Sequence, residues 1–392
     1  MNNNTYRITL LFNANKVYDR QIIQGIGEYI QASQSAWDIF LEEDFLCRID
    51  HIKEWMGDGV IADFDDPEIA EALKDIGAPV IGIGGSYMDE ADYPHVPYVA
   101  TDNQSLVREA YQHLKHKGLE HFACYGLPPS PKKRWAQERE KEFSRLVAKD
   151  GYECRIFEGG ETSPETWQED MDRLAEWLKA LPKPIGIISV TDSRARHVLQ
   201  VCEHLGLLVP DSVSVIGIDN EELTRHLTRV PLSSVGQGCR AMGYHAAKLL
   251  HQALQGAELR SVRKLIPPTG VIERQSTDFK ALKDPVVIQA MHFIRLNACK
   301  GIKVDQVSDH IGVSRSSLER RFRQERKQTV HDEIHLTKFE RATTLITTTE
   351  LPIAEIAGLC GYPSVHYLYN VFRKHLNMTP KDYRISQLNI AE

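Results

Sequence analysis

At 392 residues the chain exceeds what one hydrophobic core supports and predicts two or three domains, and no run of about eighteen apolar residues marks a membrane-spanning helix. Its net charge of −7 is unevenly spread: residues 285–392 hold 15 Lys and Arg against 11 Asp and Glu, a net of +4, while the first 284 hold 32 against 43, a net of −11. A basic tail behind an acidic body suits a protein that meets phosphates at one end and does something else at the other.

From the N-terminus, Met1 to Tyr6 has neither the basic region nor the apolar stretch of a signal peptide, so the chain reads as soluble and cytoplasmic. Arg7 to Phe12 then reads as a strand, Arg20 to Ala32 as an amphipathic helix, Asp38 to Leu41 as a strand, Ile49 to Met56 as a helix and Gly59 to Ala62 as a strand. Pro67 to Asp75 and Pro79 to Gly82 continue as helix and strand, followed by Tyr98 to Thr101 as strand, Asn103 to Lys117 as helix and His121 to Tyr125 as strand. Trp135 to Asp150, Tyr152 to Phe157, Pro164 to Ala180, Gly186 to Val190, Ser193 to Leu205 and Val213 to Gly217 repeat the alternation. Strands alternating with helices predict parallel sheets covered by helices. The strands outnumber those of a single small unit, so two similar lobes are expected, with crossings near Val99 to Asn103 and near Ser233 to Gly236.

Ligands of open parallel sheets sit outside the carboxyl ends of the strands. Here those ends are Asn13 to Arg20, Glu42 to Asp44, Asp63 to Asp66, Gly84 to Ser86, Leu127 to Trp135, Thr191 to Arg196 and Asp219-Asn220. They offer carboxylates, amides and guanidinium groups, with Trp135 or Tyr18 as a flat apolar wall. That set matches a small polyol: a carboxylate accepts two hydroxyl protons, amides and Arg complete the network, and an aromatic ring covers the C–H face. Candidate ligand contacts are Asp219, Asp192, Arg134, Arg196, Asn220, Asp19, Arg20 and Gln237, with Glu43 and Asp63 behind them. Several have a structural alternative: Asp219 and Asp192 can cap helices, Arg134 can pair with Glu138, and Arg196 can bridge to Asp192. The seven cysteines are scattered without a CxxC pair and read as reduced core thiols; no metal cluster or cofactor motif occurs.

The last hundred residues carry two helix-turn-helix patterns about fifty residues apart. Val304, Val307, Ser308, Ile311, Gly312, Val313, Ser314, Leu318 and Phe322 form the first; Ile353, Ile356, Ala357, Cys360, Gly361, Tyr362, Ser364, Leu368 and Phe372 form the second, its turn lengthened by Pro363. In each, apolar residues at helical spacing close on a Gly that can turn left-handed, and a Ser then caps a second helix whose buried stripe holds Leu and Phe four residues apart. The outward face carries Arg315, Ser316, Glu319, Arg320 and Arg323 in the first unit, and Val365, His366, Tyr369, Asn370 and Arg373 in the second. Arg grips guanine bidentately, Asn does so for adenine, Glu accepts from cytosine, and further cations sit on phosphates. Two reading helices can enter successive major grooves about 34 Å apart, with Val330 to Thr347 as a rigid spacer whose inner face is Ile334, Leu336, Phe339, Ala342, Leu345 and Ile346.

Arg341, Ala342, Leu345, Ile353 to Gly361, Tyr362-Pro363-Ser364, Tyr367, Phe372-Arg373-Lys374 and Thr379-Pro380-Lys381-Asp382-Tyr383-Arg384 resemble the AraC/XylS-type transcription regulators over about residues 286 to 386. The resemblance implies a seven-helix DNA-binding domain acting on double-stranded promoter DNA beside RNA polymerase. In the first 280 residues, Asp102-Asn103, Thr191-Asp192 and Ser214 to Asn220 followed by Leu232-Ser233-Ser234-Val235 resemble the LacI/GalR and periplasmic sugar-binding fold, which implies effector contact by Asp219, Asp192 and Arg134. The LacI-type regulators carry their DNA-binding domain at the N-terminus and this chain does not, so their dimer geometry does not transfer.

The expected architecture is therefore an α/β periplasmic-binding-protein-like two-lobed domain over residues 1–275, a linker over 276–285, and an all-α domain with two helix-turn-helix units over 286–392. The combination resembles the enterobacterial xylose-operon regulators, which implies D-xylose or a related pentose as effector and a homodimer on DNA repeats. An NAD-dependent enzyme is disfavoured because Gly82-Ile83-Gly84-Gly85 stops short of GxGxxG, a receiver domain because such domains are far shorter, and a transport protein because it has no use for the tail.

Overall fold

The computed structural model describes residues 5–42, 57–87, 89–259, 262–279, 282 and 284–391. The helix expected over Ile49 to Met56, and Glu43, lie outside them. The chain divides into two compact units, Met1–Lys280 and Ala281–Glu392.

The first unit opens with β1 (Tyr6–Leu11), α1 (Val17–Ser33), β2 (Trp37–Phe40), β3 (Gly59–Asp63), α2 (Pro67–Ala72), β4 (Val80–Gly85) and β5 (Tyr98–Thr101). The β3 and β4 residues are buried throughout, because a parallel strand covered on both faces admits no polar side. The chain then crosses at Asp102, whose carboxylate caps α3 (Asn103–His116) by accepting from the Ser105 amide at 2.8 Å. A second lobe follows with β6 (Phe122–Gly126), α4 (Arg134–Lys149), β7 (Ile156–Glu158), α5 (Trp167–Ala180), β8 (Ile185–Ser189), α6 (Asp192–Leu205), β9 (Val213–Ile218), α7 (Glu222–His226) and β10 (Ser233–Gly236). The return after β10 leads into α8 (Cys239–Leu254) and β11 (Arg263–Ile266) of the first lobe, and a third crossing brings β12 (Gly270–Ile272) back to the second.

Each lobe is a six-stranded sheet, ordered β11-β5-β4-β3-β1-β2 and β12-β10-β9-β8-β6-β7. The strand pairs are parallel except β12, which runs antiparallel to β10 at the edge. The sequence reading located both early crossings and missed the third, together with α7, α8, β11 and β12. Ser276 and Thr277, expected in the linker, are buried in the second lobe: Ser276 Oγ donates to the Val215 carbonyl at 2.6 Å and accepts from the Ser233 amide at 2.8 Å.

One packing contact governs the first lobe. Helices α1 and α8 lie against the same sheet face, sharing a core with Ile8, Ile61 and Ile81, and touch backbone to backbone where Gly25 meets the Arg240 carbonyl and Gly243 meets the Ile22 carbonyl. A side chain at either glycine would occupy the other helix's main chain.

The second unit consists, among its described residues, of α9 (Pro285–Asn297), α10 (Val304–Ile311), α11 (Arg315–Arg326), α12 (Val330–Thr348), α13 (Ile353–Leu359), α14 (Val365–Leu376) and α15 (Pro380–Ala391). Two apolar clusters hold it. Val304, Val307, Leu318 and Phe322 join Val330 and Ile334 from the start of α12; Ile353, Ile356, Leu368 and Phe372 join Ala342, Leu345 and Ile346 from its end. A single nineteen-residue helix therefore belongs to both cores and spaces them rigidly.

Candidate functional site

In the first unit the carboxyl ends of both sheets face one cavity of about 600 Å³. The first lobe contributes the loop after β1 (Asn13, Asn15, Lys16), Tyr18 of α1 and the loop after β3 (Asp63, Asp65, Asp66); the second contributes Trp135 and Arg139 of α4, Thr191, Ser193, Asp219 and Glu221. Asn103 and Gln237 come from the first two crossings. A pocket of this size with a few convergent polar groups and an aromatic wall is the form a small-molecule site takes.

Asp219 lines the cavity at the end of β9. Its φ of 122° and that of Asn220, 51°, place two consecutive non-glycine residues in left-handed backbone. Such strain persists only where the surroundings over-determine it. Three bonds do so here: Asp219 N donates to the Val235 carbonyl at 3.0 Å, Asn220 N to Ser234 Oγ at 2.9 Å, and Glu221 N to the Asp192 carboxylate at 2.7 Å. Gln237 donates its amide to Asp219, leaving Gln237 Oε1 buried without a partner, and Arg139 stands 4.0 Å away. Arg139 is itself buried, with Nε bound to Asn103 Oδ1 at 2.9 Å and its guanidinium over the Trp135 ring at 4.7 Å.

The carboxyl groups here are pushed toward the neutral form. Burial, reinforced by Asp63, raises Asp65 to about 7 against the pull of Arg134, and burial raises Asp219 to about 6 against the pull of Arg139. Asp19, enclosed beside Asp63, is raised to about 8, again chiefly by burial. Asp192 is raised by burial and by Asp219. Carboxyls this close to neutrality at physiological pH can each donate or accept, which suits hydroxyl groups and opposes a second anion.

Of the residues expected to touch a ligand, Asp219 and Gln237 line the cavity, as do Asp63, Tyr18 and Trp135. The other candidates among the described residues are not among its lining residues. Asp192 lies behind the wall with both oxygens engaged, by Glu221 N and by Ser234 Oγ at 2.6 Å. Asn220 Oδ1 accepts from Arg274 at 2.8 Å. Arg20 binds the Ala14 and Asn15 carbonyls and so braces the loop after β1. Arg196 points along α6 to Gln200 at 3.0 Å rather than back to Asp192. Asp19 is buried under the same loop, its oxygens without hydrogen-bond partners. Arg134, expected as an effector contact, reaches across to the first lobe instead, pairing with Asp65 at 3.2 Å and with Glu138, the structural alternative, at 2.7 Å.

Sequence reasoning passed over Arg139, Asn103 and Asp65 as contacts. Arg139 had a signal: it falls on the buried stripe Ala136, Phe143, Leu146 and Val147, where a guanidinium is out of place unless paired.

In the second unit Gly312 and Gly361 both take left-handed backbone, φ 75° and 67°, and turn α10 into α11 and α13 into α14. Ser314 Oγ then accepts from Ser317 N at 3.3 Å and Ser364 Oγ from Tyr367 N at 3.2 Å, starting each following helix. Leu318, Phe322, Leu368 and Phe372 are fully buried, so the opposite face is forced outward. Arg315, Ser316, Arg320 and Arg323 of α11 are exposed, as are Val365, His366, Asn370 and Arg373 of α14. Glu319 and Tyr369 are half-buried at the margins. Arg315 makes a surface pair with Asp305 at 3.0 Å. Among the described residues no helix is long and apolar enough to cross a membrane, and no cluster of metal-ligating side chains occurs.

Family models for a XylR N-terminal domain, a periplasmic binding protein-like domain and a helix-turn-helix domain match residues 7–104, 111–277 and 307–386. The chain is 60% identical over 379 residues to the xylose operon regulatory protein of Escherichia coli strain K12, covering 97% of each chain. It is 51% identical over 381 residues to that of Haemophilus influenzae, covering 97% of this chain and 98% of the relative. A solved structure of a xylose-binding transcription activator matches with a TM-score of 0.89 at 58% identity, over 97% of this chain and 98% of that one.

Proposed function

The chain belongs to the family of xylose operon regulatory proteins, as a DNA-binding transcription regulator and not an enzyme, and from that premise we propose that D-xylose or a related pentose is the effector bound in its interlobe cavity. Asp219, Gln237, Asp63, Asp65, Asn103 and Arg139 supply the hydroxyl contacts, while Trp135 and Tyr18 cover the C–H faces. Asp192, Asn220 and Arg20 hold these groups in place. The observation that carries the reading is the lining itself: several carboxyls, two of them, Asp65 and Asp219, pushed toward the neutral form, converge with amides, one buried guanidinium and an indole on one space. A monosaccharide has little apolar surface, so its selection rests on satisfied polar contacts, each worth roughly 1 to 3 kcal/mol when an analogue leaves one unpaired.

Helices α11 and α14 enter successive major grooves of promoter repeats, with Arg315, Ser316, Glu319, Arg320 and Arg323 on one and Val365, His366, Tyr369, Asn370 and Arg373 on the other. The regulator works in the cytoplasm as a homodimer beside RNA polymerase, and pentose binding changes its operator affinity. Calorimetric titration against pentoses and hexoses, paired with operator titration with and without the tightest ligand, tests this. Binding of D-xylose with a shift in operator affinity is expected; equal operator affinity and footprint in both states would overturn the coupling.

A further inference from the structure

A continuous polar chain joins the two walls of the cavity through residues that do not line it. It starts at Asp65 of the first lobe, whose carboxylate accepts from the Gly85 amide at 3.0 Å and from Arg134 Nη2 at 3.2 Å. Arg134, at the start of α4 in the second lobe, also donates to the Gly85 carbonyl at 3.1 Å and to the Ser86 carbonyl, and stacks on Tyr87 with its guanidinium 3.6 Å from the ring centre. One side chain thus takes four partners on the opposite lobe. Glu138 continues the chain one turn along α4: Oε1 accepts from Arg134 at 2.7 Å, and Oε2 from Ser86 Oγ at 3.0 Å and Asn103 Nδ2 at 2.9 Å. Asn103 passes it to Arg139, and Arg139 faces Asp219.

We infer that Arg134 and Glu138 are positioning residues that couple occupancy of the cavity to the setting of one lobe on the other. This rests on the reading of the cavity as the effector site. The physical reason is that Asp65, Asn103 and Arg139 each have one side toward the cavity and one toward this chain. A ligand hydroxyl that engages Asp65 or Asn103 competes with, or reorients, the bonds these residues make to Arg134 and Glu138. Arg134 holds two main-chain carbonyls of the other lobe and Glu138 holds the Ser86 hydroxyl, so neither can move without moving it. Charge-assisted and enclosed, such a network responds as a unit. The exposed pairs of Lys132 with Asp66 and Glu68, 3.0 Å each, also span the lobes, but solvent screens them.

The test uses the full-length protein with Arg134→Ala, Arg134→Lys and Glu138→Gln. D-xylose affinity is read by calorimetry, lobe closure by the ligand-induced change in small-angle scattering, and response as the ratio of operator affinities with and without D-xylose. Arg134→Ala is expected to keep measurable D-xylose binding while the response ratio falls to near one and the scattering change is lost. Arg134→Lys, unable to hold the fork of carbonyls, restores only part. Glu138→Gln keeps the side-chain length and removes the charge, and carries the test if the alanine variant does not fold; it too is expected to lower the ratio. A wild-type ratio and wild-type scattering change in folded variants would overturn the inference. So would abolished binding in Arg134→Ala beside an unaltered Glu138→Gln, since that marks Arg134 as a ligand contact. Failure of the wild-type protein to bind any pentose would instead overturn the effector reading itself.

Discussion

The carboxylate of Asp192 holds the turn that presents Asp219 to the cavity. Sitting one residue into α6, it accepts from the Glu221 amide and the Ser234 hydroxyl, the two groups that close the left-handed stretch at Asp219 and Asn220. A residue with both oxygens engaged inside the wall thus determines where a residue on the surface of the cavity can stand.

Asp192→Asn should therefore resemble Asp219→Ala in its effect on pentose binding. An amide places donors against the Glu221 N–H or the Ser234 hydroxyl, leaving a buried group unsatisfied at about 1–3 kcal/mol. Urea unfolding should show that loss for Asp192→Asn and little for Asp219→Ala, while calorimetry shows weakened D-xylose binding for both. Undiminished binding in Asp192→Asn would show that the turn holds itself.

Pentose binding should depend on pH with a definite sign. Hydroxyl donors favour the ionised carboxylates, and Asp219 and Asp65 sit at about 6 and 7 in the free protein. Affinity should weaken as pH falls through that range, with protons released on binding near pH 7. Calorimetry in buffers of different ionisation enthalpy measures that release, and a buffer-independent enthalpy would contradict it.

Asp19→Asn should stabilise the protein at high pH only. The folded state holds the Asp19 proton up to about 8, whereas the unfolded chain releases it near the ordinary aspartate value of 3.8. The proton's contribution to stability is complete below the unfolded value and is lost as pH rises through the folded one. The variant's gain in melting temperature should be absent near pH 4, grow with pH and level off above about 8. A gain independent of pH would assign the effect to packing.

Two glycines about 3 Å of helix rise apart should behave oppositely, since about 1.5 Å separates successive residues along the axis. Gly25→Ala drives a methyl into the Arg240 backbone and should lower stability by about 1–3 kcal/mol or more. Gly27→Ala, with nothing near its new methyl, should raise it by about 0.5–1 kcal/mol. Thermal melts of the two variants separate the claims, and similar losses in both would refute the close approach.

Arg320→Ala should weaken operator binding by roughly 1–3 kcal/mol and relax preference at one base position if the side chain reads a base. A uniform loss with a shallower salt dependence would mark a phosphate contact instead. Titration against single-base operator variants at two salt concentrations decides.

Local pattern made the second unit almost fully legible. Gly312, Gly361, Ser314 and Ser364 act through backbone conformation and bonds to residues three positions away, and Leu318 with Phe322 defines a face by helical periodicity. The alternation of the first unit was legible for the same reason up to β10. Beyond it, α8 and β11 return to the first lobe and β12 to the second, and periodicity carries no record of which sheet an edge strand joins.

By itself the amino-acid order determined the class of each unit, the two turns and their outward faces, and the strand ends that meet at the cavity, because all of these follow from periodicity, capping and the direction of parallel strands. Only the tertiary structure decided which polar residues face the cavity. Arg134 and Arg139 stand five positions apart on one helix, yet the first clasps the opposite lobe and the second lies under Trp135 beside Asp219. Their difference comes from partners 49 to 80 residues distant in the chain, Gly85 for one and Asp219 for the other, which no local pattern can name.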